Sequence, residues 1–100
     1  MTSELLIVVA AFAVFACGAV GVIYRKNPIA VLMSVELMIN AAILVLILGS
    51  RIHNNVEGQT AGLLVLVLGG AEAVVGLALA LALFRDQPSV DVDDAREIVG

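Results

Sequence analysis

Three long apolar blocks limit what this chain can fold into. Leu5 to Tyr24, Ile29 to Gly49 and Thr60 to Phe84 run 20, 21 and 25 residues. A helix rises about 1.5 Å per residue, so roughly 20 residues cross a hydrocarbon core of about 30 Å. Together the blocks take 66 of the 100 residues and leave little for a soluble domain. The chain is 62% hydrophobic with a mean hydropathy of +1.14, more than a small soluble domain can bury. No block alternates polar and apolar positions, and a membrane barrel needs at least about eight strands. The sequence predicts an all-α membrane protein with three transmembrane helices near 5–24, 29–49 and 60–84. It is read as a single unit with a polar tail over 85–100.

Several function classes fall away. The opening "MTSE" carries a Glu and no Lys or Arg, unlike a signal peptide. "VFAC", ending at Cys17, has bulky Phe15 where a lipoprotein cleavage site wants small residues. One cysteine allows neither an intrachain disulfide nor a cysteine-based metal site, so Cys17 reads as a small packing residue. A net charge of −4, concentrated in the tail, does not suit nucleic-acid binding. There is no phosphate loop, dinucleotide fingerprint or nucleophile–base pair.

The connections are short. "RKNP", Arg25 to Pro28, joins the first two spans, with Asn27–Pro28 as the turn and Pro28 suited to the first turn of the second helix. "SRIHNNVEGQ", Ser50 to Gln59, joins the second and third, and its His53 reads as solvated. Pro88 is expected to break the third helix before the acidic tail. Arg25, Lys26, Arg85 and Arg96 lie on one side of the membrane and Arg51 alone on the other. The positive-inside rule then puts the first loop and the C-terminus in the cytoplasm and the N-terminus outside. Tyr24 and Phe84 close their blocks, where aromatic side chains favour the interface.

Two carboxylates interrupt the apolar blocks. Glu36 lies in "MSVELMIN", with Met33 at i−3 and Asn40 at i+4 on one stripe. Glu72 is the only charge between Thr60 and Phe84, and Gly69, Gly76 and Ala80 fall on roughly its face, with Ala73 at the edge. Small residues admit another helix, so that face is expected to meet protein rather than lipid. A charge at mid-membrane costs at least about 2.5–3.5 kcal/mol. A carboxyl group lowers that cost by holding a proton, and one that changes state near neutral pH can pass a proton on. The plainer role is a hydrogen bond to a neighbouring helix. Two such groups on separate helices favour a relay over pure structure. Asn40 reads as interhelical support, and Ser34 as bonded back to its own helix.

Counted from the block ends, Glu36 lies about 10–12 Å and Glu72 about 18 Å below the same membrane face. With helix axes about 8–10 Å apart, the carboxylates would stand on the order of 10 Å apart. That is too far for a direct hydrogen bond, so water or a mobile side chain would have to bridge them.

These residues carry a family likeness. The three spans, "RKN" in the first loop, "MSVELMINA", "EGQ" and "AEAVVGLAL" together resemble the K (4L-type) subunits of proton-translocating NADH:quinone oxidoreductase, respiratory complex I. The resemblance covers nearly the whole chain. It implies an enzyme subunit in the membrane arm, next to the J, N and A subunits, within a hetero-oligomer in the bacterial cytoplasmic (inner) membrane. It implies that Glu36 and Glu72 belong to a proton relay coupled to quinone reduction. It also implies functional weight for the cytoplasmic-loop residues Arg25, Lys26 and Asn27. NADH, FMN, iron–sulfur clusters and quinone would be held by partner subunits, with none bound by this chain. Two departures stand out. "NAAILVL" lacks a second Asn found in many members, and Gly69 and Gly70 stand where Ala is usual.

Other readings remain open at this point. The C subunit of multisubunit sodium/proton antiporters, or a related hydrogenase complex, has similar length and topology but usually lacks the glutamate of "AEA". A small drug exporter has four spans, its Glu in the first, and more than the 4% aromatics found here. A purely structural subunit would tolerate glutamine at both glutamates.

Overall fold

The computed structural model of the chain describes residues 2–86. It contains three helices: α1 (Thr2–Tyr24), α2 (Pro28–His53) and α3 (Glu57–Asp86). No strand occurs among the described residues. Each helix is long and apolar enough to cross a bilayer. Pro88, Arg96 and the acidic tail lie outside the described residues.

The helices run past their apolar blocks. α2 continues through Ser50–His53, and α3 starts at Glu57, so the second connection is three residues rather than ten. Polar side chains make this possible. Asn54 takes the left-handed conformation (φ 55°) that ends α2, and its amide donates to the Ser50 carbonyl. The Asn55 amide donates to the same carbonyl at 3.1 Å. Asn55 Oδ1 accepts from the Glu57 amide at 3.2 Å, and Ser50 Oγ from the Gln59 amide at 2.8 Å. Ser50, buried at the end of α2, therefore holds both sides of the turn.

The first connection follows the same logic. Asn27 Oδ1 accepts from the amides of Ile29 (2.9 Å) and Ala30 (3.4 Å), capping α2 with Pro28 in its first turn. Asn27→Ala should lower stability by about 1 kcal/mol, and Asn27→Ser should recover most of it. The thermal midpoint of the purified assembly measures both; equal midpoints for all three proteins would deny the cap any role.

The central helix is α2. α1 packs along one side and α3 along the other, while α1 and α3 barely meet. Except for Leu48, the side chains buried in these seams are small: Ala11, Ser34, Ala41, Ser50 and Ala80. A Cβ at Gly18 would stand 2.6 Å from Met38 Cγ and from the Ser34 carbonyl, and one at Gly21 would overlap Ser34 Oγ. The Ser34 hydroxyl itself donates to the Ala30 carbonyl at 2.8 Å, one turn back. Large apolar residues point outward instead, as with Phe12, Tyr24, Val74 and Leu79. Lipid tails are as apolar as leucine, so helices in a membrane associate through close backbone approach rather than by hiding large side chains.

Candidate functional site

The α2–α3 seam holds the first glutamate. The two helices are antiparallel, and four glycines of α3 set their register. Gly58 lies against Leu46 and Ser50, Gly62 against Ile43 and Ile47, Gly69 against Ile39 and Glu36, and Gly76 against Leu32. An open groove of about 410 Å³ runs along one flank of this seam. α2 lines it with Met33, Glu36 and Asn40, one stripe at i−3 and i+4, and α3 with Ala73 and Leu77.

Glu36 is half-buried there. Its Oε1 is fully covered and has no hydrogen-bond partner within the described chain. A buried oxygen left alone costs about 1–3 kcal/mol. A proton on the carboxyl, water in the groove or a group from a neighbouring chain would offset that cost. The other oxygen faces α3: a Cβ at Gly69 would stand 3.7 Å from Glu36 Oε2. Asn40 is exposed at the mouth of the groove.

Glu72 sits differently from expectation. Gly69, Gly76 and Ala80 are turned toward α2, so the small-residue face serves a contact inside the chain. Neighbouring residues on a helix are about 100° apart. That step puts Ala73 on the groove side of the seam and Glu72 on the opposite flank, where it is exposed. Among the described residues no other helix covers Glu72.

The depths differ from expectation too. Gly69 meets Glu36 and Ile39, and Gly76 meets Leu32, so Glu72 stands at about the height of Val35 and Glu36. Counting from block ends placed it deeper because α3 overhangs the start of α2. With Leu32 opposite Gly76, Pro28 falls near Ala80, and the last residues of α3 extend beyond it. The two carboxylates are thus nearly level and separated across the seam.

The remaining candidates lie at the ends of the helices. Arg25 and Lys26 are exposed in the α1–α2 loop, where the Arg25 amide donates to the Gly21 carbonyl at 2.9 Å. Asn27 caps α2 beside them. His53 is exposed at the end of α2, and Cys17 is exposed on α1 rather than packed within the chain. Ala73, Leu77 and Gly69 were not singled out as neighbours of Glu36. Their signal was present: they are the α3 residues that an antiparallel register brings beside it.

Comparison with known proteins agrees with this layout. The family described as NADH-ubiquinone/plastoquinone oxidoreductase chain 4L matches residues 6–99. That stretch includes the α1–α2 loop, Glu36, Asn40 and Glu72. The chain is also 45% identical over 84 residues to NADH-quinone oxidoreductase subunit K 1 of Symbiobacterium thermophilum, covering 84% of this chain and 82% of that protein. On a match that runs through all three helices, the chain belongs to the chain 4L family of NADH-ubiquinone/plastoquinone oxidoreductases.

Proposed function

We propose that this chain is the K-type membrane subunit of a proton-translocating NADH:quinone oxidoreductase. The match over residues 6–99 carries the reading. The apolar exterior and the unsatisfied, half-buried Glu36 support it. In this role the chain lies in the bacterial cytoplasmic membrane with its N-terminus outside. Arg25 and Lys26 face the cytoplasm, and the J, N and A subunits cover the outer faces of the helices. An iron–sulfur cluster takes about four ligands, mostly cysteine. Cys17 alone cannot supply them, so in this reading the clusters belong to other subunits, together with the NADH, FMN and quinone sites that the family role assigns to the rest of the complex.

The chain's own part is proton handling. Glu36 takes up and releases a proton at its carboxyl group between α2 and α3. Asn40 orders polar contacts at the groove mouth, and Glu72 repeats the exchange on the far flank of α3. Because the two are level, protonation passes laterally, in the membrane plane, rather than through the bilayer along this chain.

Affinity purification from detergent-solubilised membranes tests the assignment. The tagged chain is expected to bring down an assembly that oxidises NADH with quinone. An assembly without that activity, which exchanges sodium for protons after reconstitution, would replace this reading with the antiporter subunit.

A further inference from the structure

At the α2–α3 turn the seam opens into a space that is polar at one end and apolar at the other. A pocket of about 410 Å³ lies beside the turn, where Arg51, Asn54, Asn55 and Gln59 line it together with Ile47. Next to it, toward the middle of the span, Ile43, Ile47, Leu63 and Leu66 line a groove of about 310 Å³. Ile47 and Gln59 belong to both, so the two are continuous. Neither shares a residue with the groove of Glu36. Helical spacing aligns the walls: Ile43, Ile47, Arg51 and Asn54 form one stripe of α2 and the turn, and Gln59, Leu63 and Leu66 one stripe of α3.

The polar end has the chemistry of an anion site. Arg51 is the only Lys or Arg between Asn27 and Phe84, and it is exposed. A guanidinium holds phosphate oxygens through paired, charge-assisted hydrogen bonds. The side-chain amides of Asn54, Asn55 and Gln59 add donors. Asn55 Oδ1 already accepts from the Glu57 amide, so that side chain has its NH₂ group to offer. No carboxylate lines either part, and Glu57 is exposed outside them. The heights also fit. The apolar block of α2 ends at Gly49, so Arg51 stands at the membrane surface and Ile43 within the hydrocarbon. Between them α2 rises about 12 Å, less than the roughly 15 Å of hydrocarbon in one leaflet. A free phosphate would use the polar end alone. A molecule with an anionic headgroup at the surface and a hydrocarbon chain below it uses both.

We propose that this space binds one anionic phospholipid. Its phosphate rests on Arg51 and the side-chain amides, and an acyl chain lies along Ile43, Ile47, Leu63 and Leu66. The site depends neither on the proton relay nor on which assembly holds the chain.

The test uses the assembly purified with the tagged chain and reconstituted with one of two photoreactive lipids. These are phosphatidylglycerol, which is anionic, and phosphatidylethanolamine, which is zwitterionic, each with the same diazirine on an acyl chain. Labelled peptides are mapped by mass spectrometry after irradiation, and assembly is read on a native gel. Phosphatidylglycerol should label residues 43–47 and 63–66 about fivefold more than phosphatidylethanolamine does. Arg51→Gln should lower that labelling about fivefold, and Arg51→Lys should recover most of it. Leu63→Trp should abolish it by filling the groove while Arg51 stays in place. Should Leu63→Trp fail to assemble, the exposed Arg51 variants decide. Excess inorganic phosphate should leave the labelling unchanged. Equal labelling by both lipids, unaffected by Arg51→Gln, would mean bulk lipid only and overturn the inference. So would an assembled complex with no label here, since a neighbouring subunit would then fill the groove. Displacement by inorganic phosphate would also overturn it, as the mark of a free-anion site.

Discussion

Glu36→Gln is expected to leave an assembled complex in which quinone reduction and proton uptake fall together by about a hundredfold or more. Glutamine has nearly the same volume, so it fits between Gly69 and the groove formed with Ala73 and Leu77. Its amide can donate as well as accept hydrogen bonds. Glu36 Oε1 has no hydrogen bond within the described chain that the exchange would break. What the amide cannot do is bind and release a proton. A purely structural Glu36 would therefore be replaced almost without loss, and full activity in an assembled Glu36→Gln complex would end the relay reading. Glu72→Gln should act in the same direction. If the two carboxylates work in series, the double variant should be no slower than the slower single one, because one break already stops the path. Losses that multiply would instead point to two independent roles.

The spans were legible from the sequence because crossing a bilayer needs length and apolarity, and both are local properties. The stripe of Met33, Glu36 and Asn40 was legible for the same reason: spacing along one helix needs no knowledge of the neighbour. The Asn27–Pro28 turn could also be read, with Pro28 in the first turn of α2, whereas the capping of α2 by the Asn27 side chain comes from the structure. Faces and ends were harder. In a soluble protein the large apolar residues mark the inner face, but in a membrane they point everywhere. Only small residues then mark a contact, and they do not say which partner fills it. Gly69, Gly76 and Ala80 therefore read as a docking face for Glu72, whereas α2 occupies them and leaves Glu72 beside the seam. Relative depth depends on the register between helices, which the glycine contacts of α3 set and the block lengths do not. The polar run from Ser50 to Gln59 read as a loop, but most of it is helix, held by Ser50 and the left-handed Asn54.

The largest loss of stability is expected from Gly58→Ala. Gly58 lies in the first turn of α3, against the end of α2. A Cβ there would overlap the Leu46 carbonyl oxygen and stand 2.5 Å from Ser50 Oγ. Neither can move away cheaply. The carbonyl belongs to the α2 backbone, and the hydroxyl accepts from the Gln59 amide at 2.8 Å. Relief requires the start of α3 to shift outward, and that shift breaks the Ser50–Gln59 hydrogen bond. Overpacking costs about 1–3 kcal/mol, and the lost bond adds about 0.5–1.5 kcal/mol. Ser50→Ala separates the two contributions, since it removes the bond without the clash and should lose only the smaller part. Gly49→Ala is the opposite control. Nothing lies within 4 Å of a Cβ at Gly49, so alanine there should be neutral or stabilise α2 by up to about 1 kcal/mol. Assembled complex on native gels and its thermal midpoint should fall in the order Gly49→Ala, Ser50→Ala, Gly58→Ala. A Gly58→Ala complex as abundant and as heat-stable as Ser50→Ala would mean that the turn yields without strain. The register that sets Glu36 beside Gly69 would then have to be held by the mid-seam contacts of Gly62, Gly69 and Gly76 rather than by the clasp at its end.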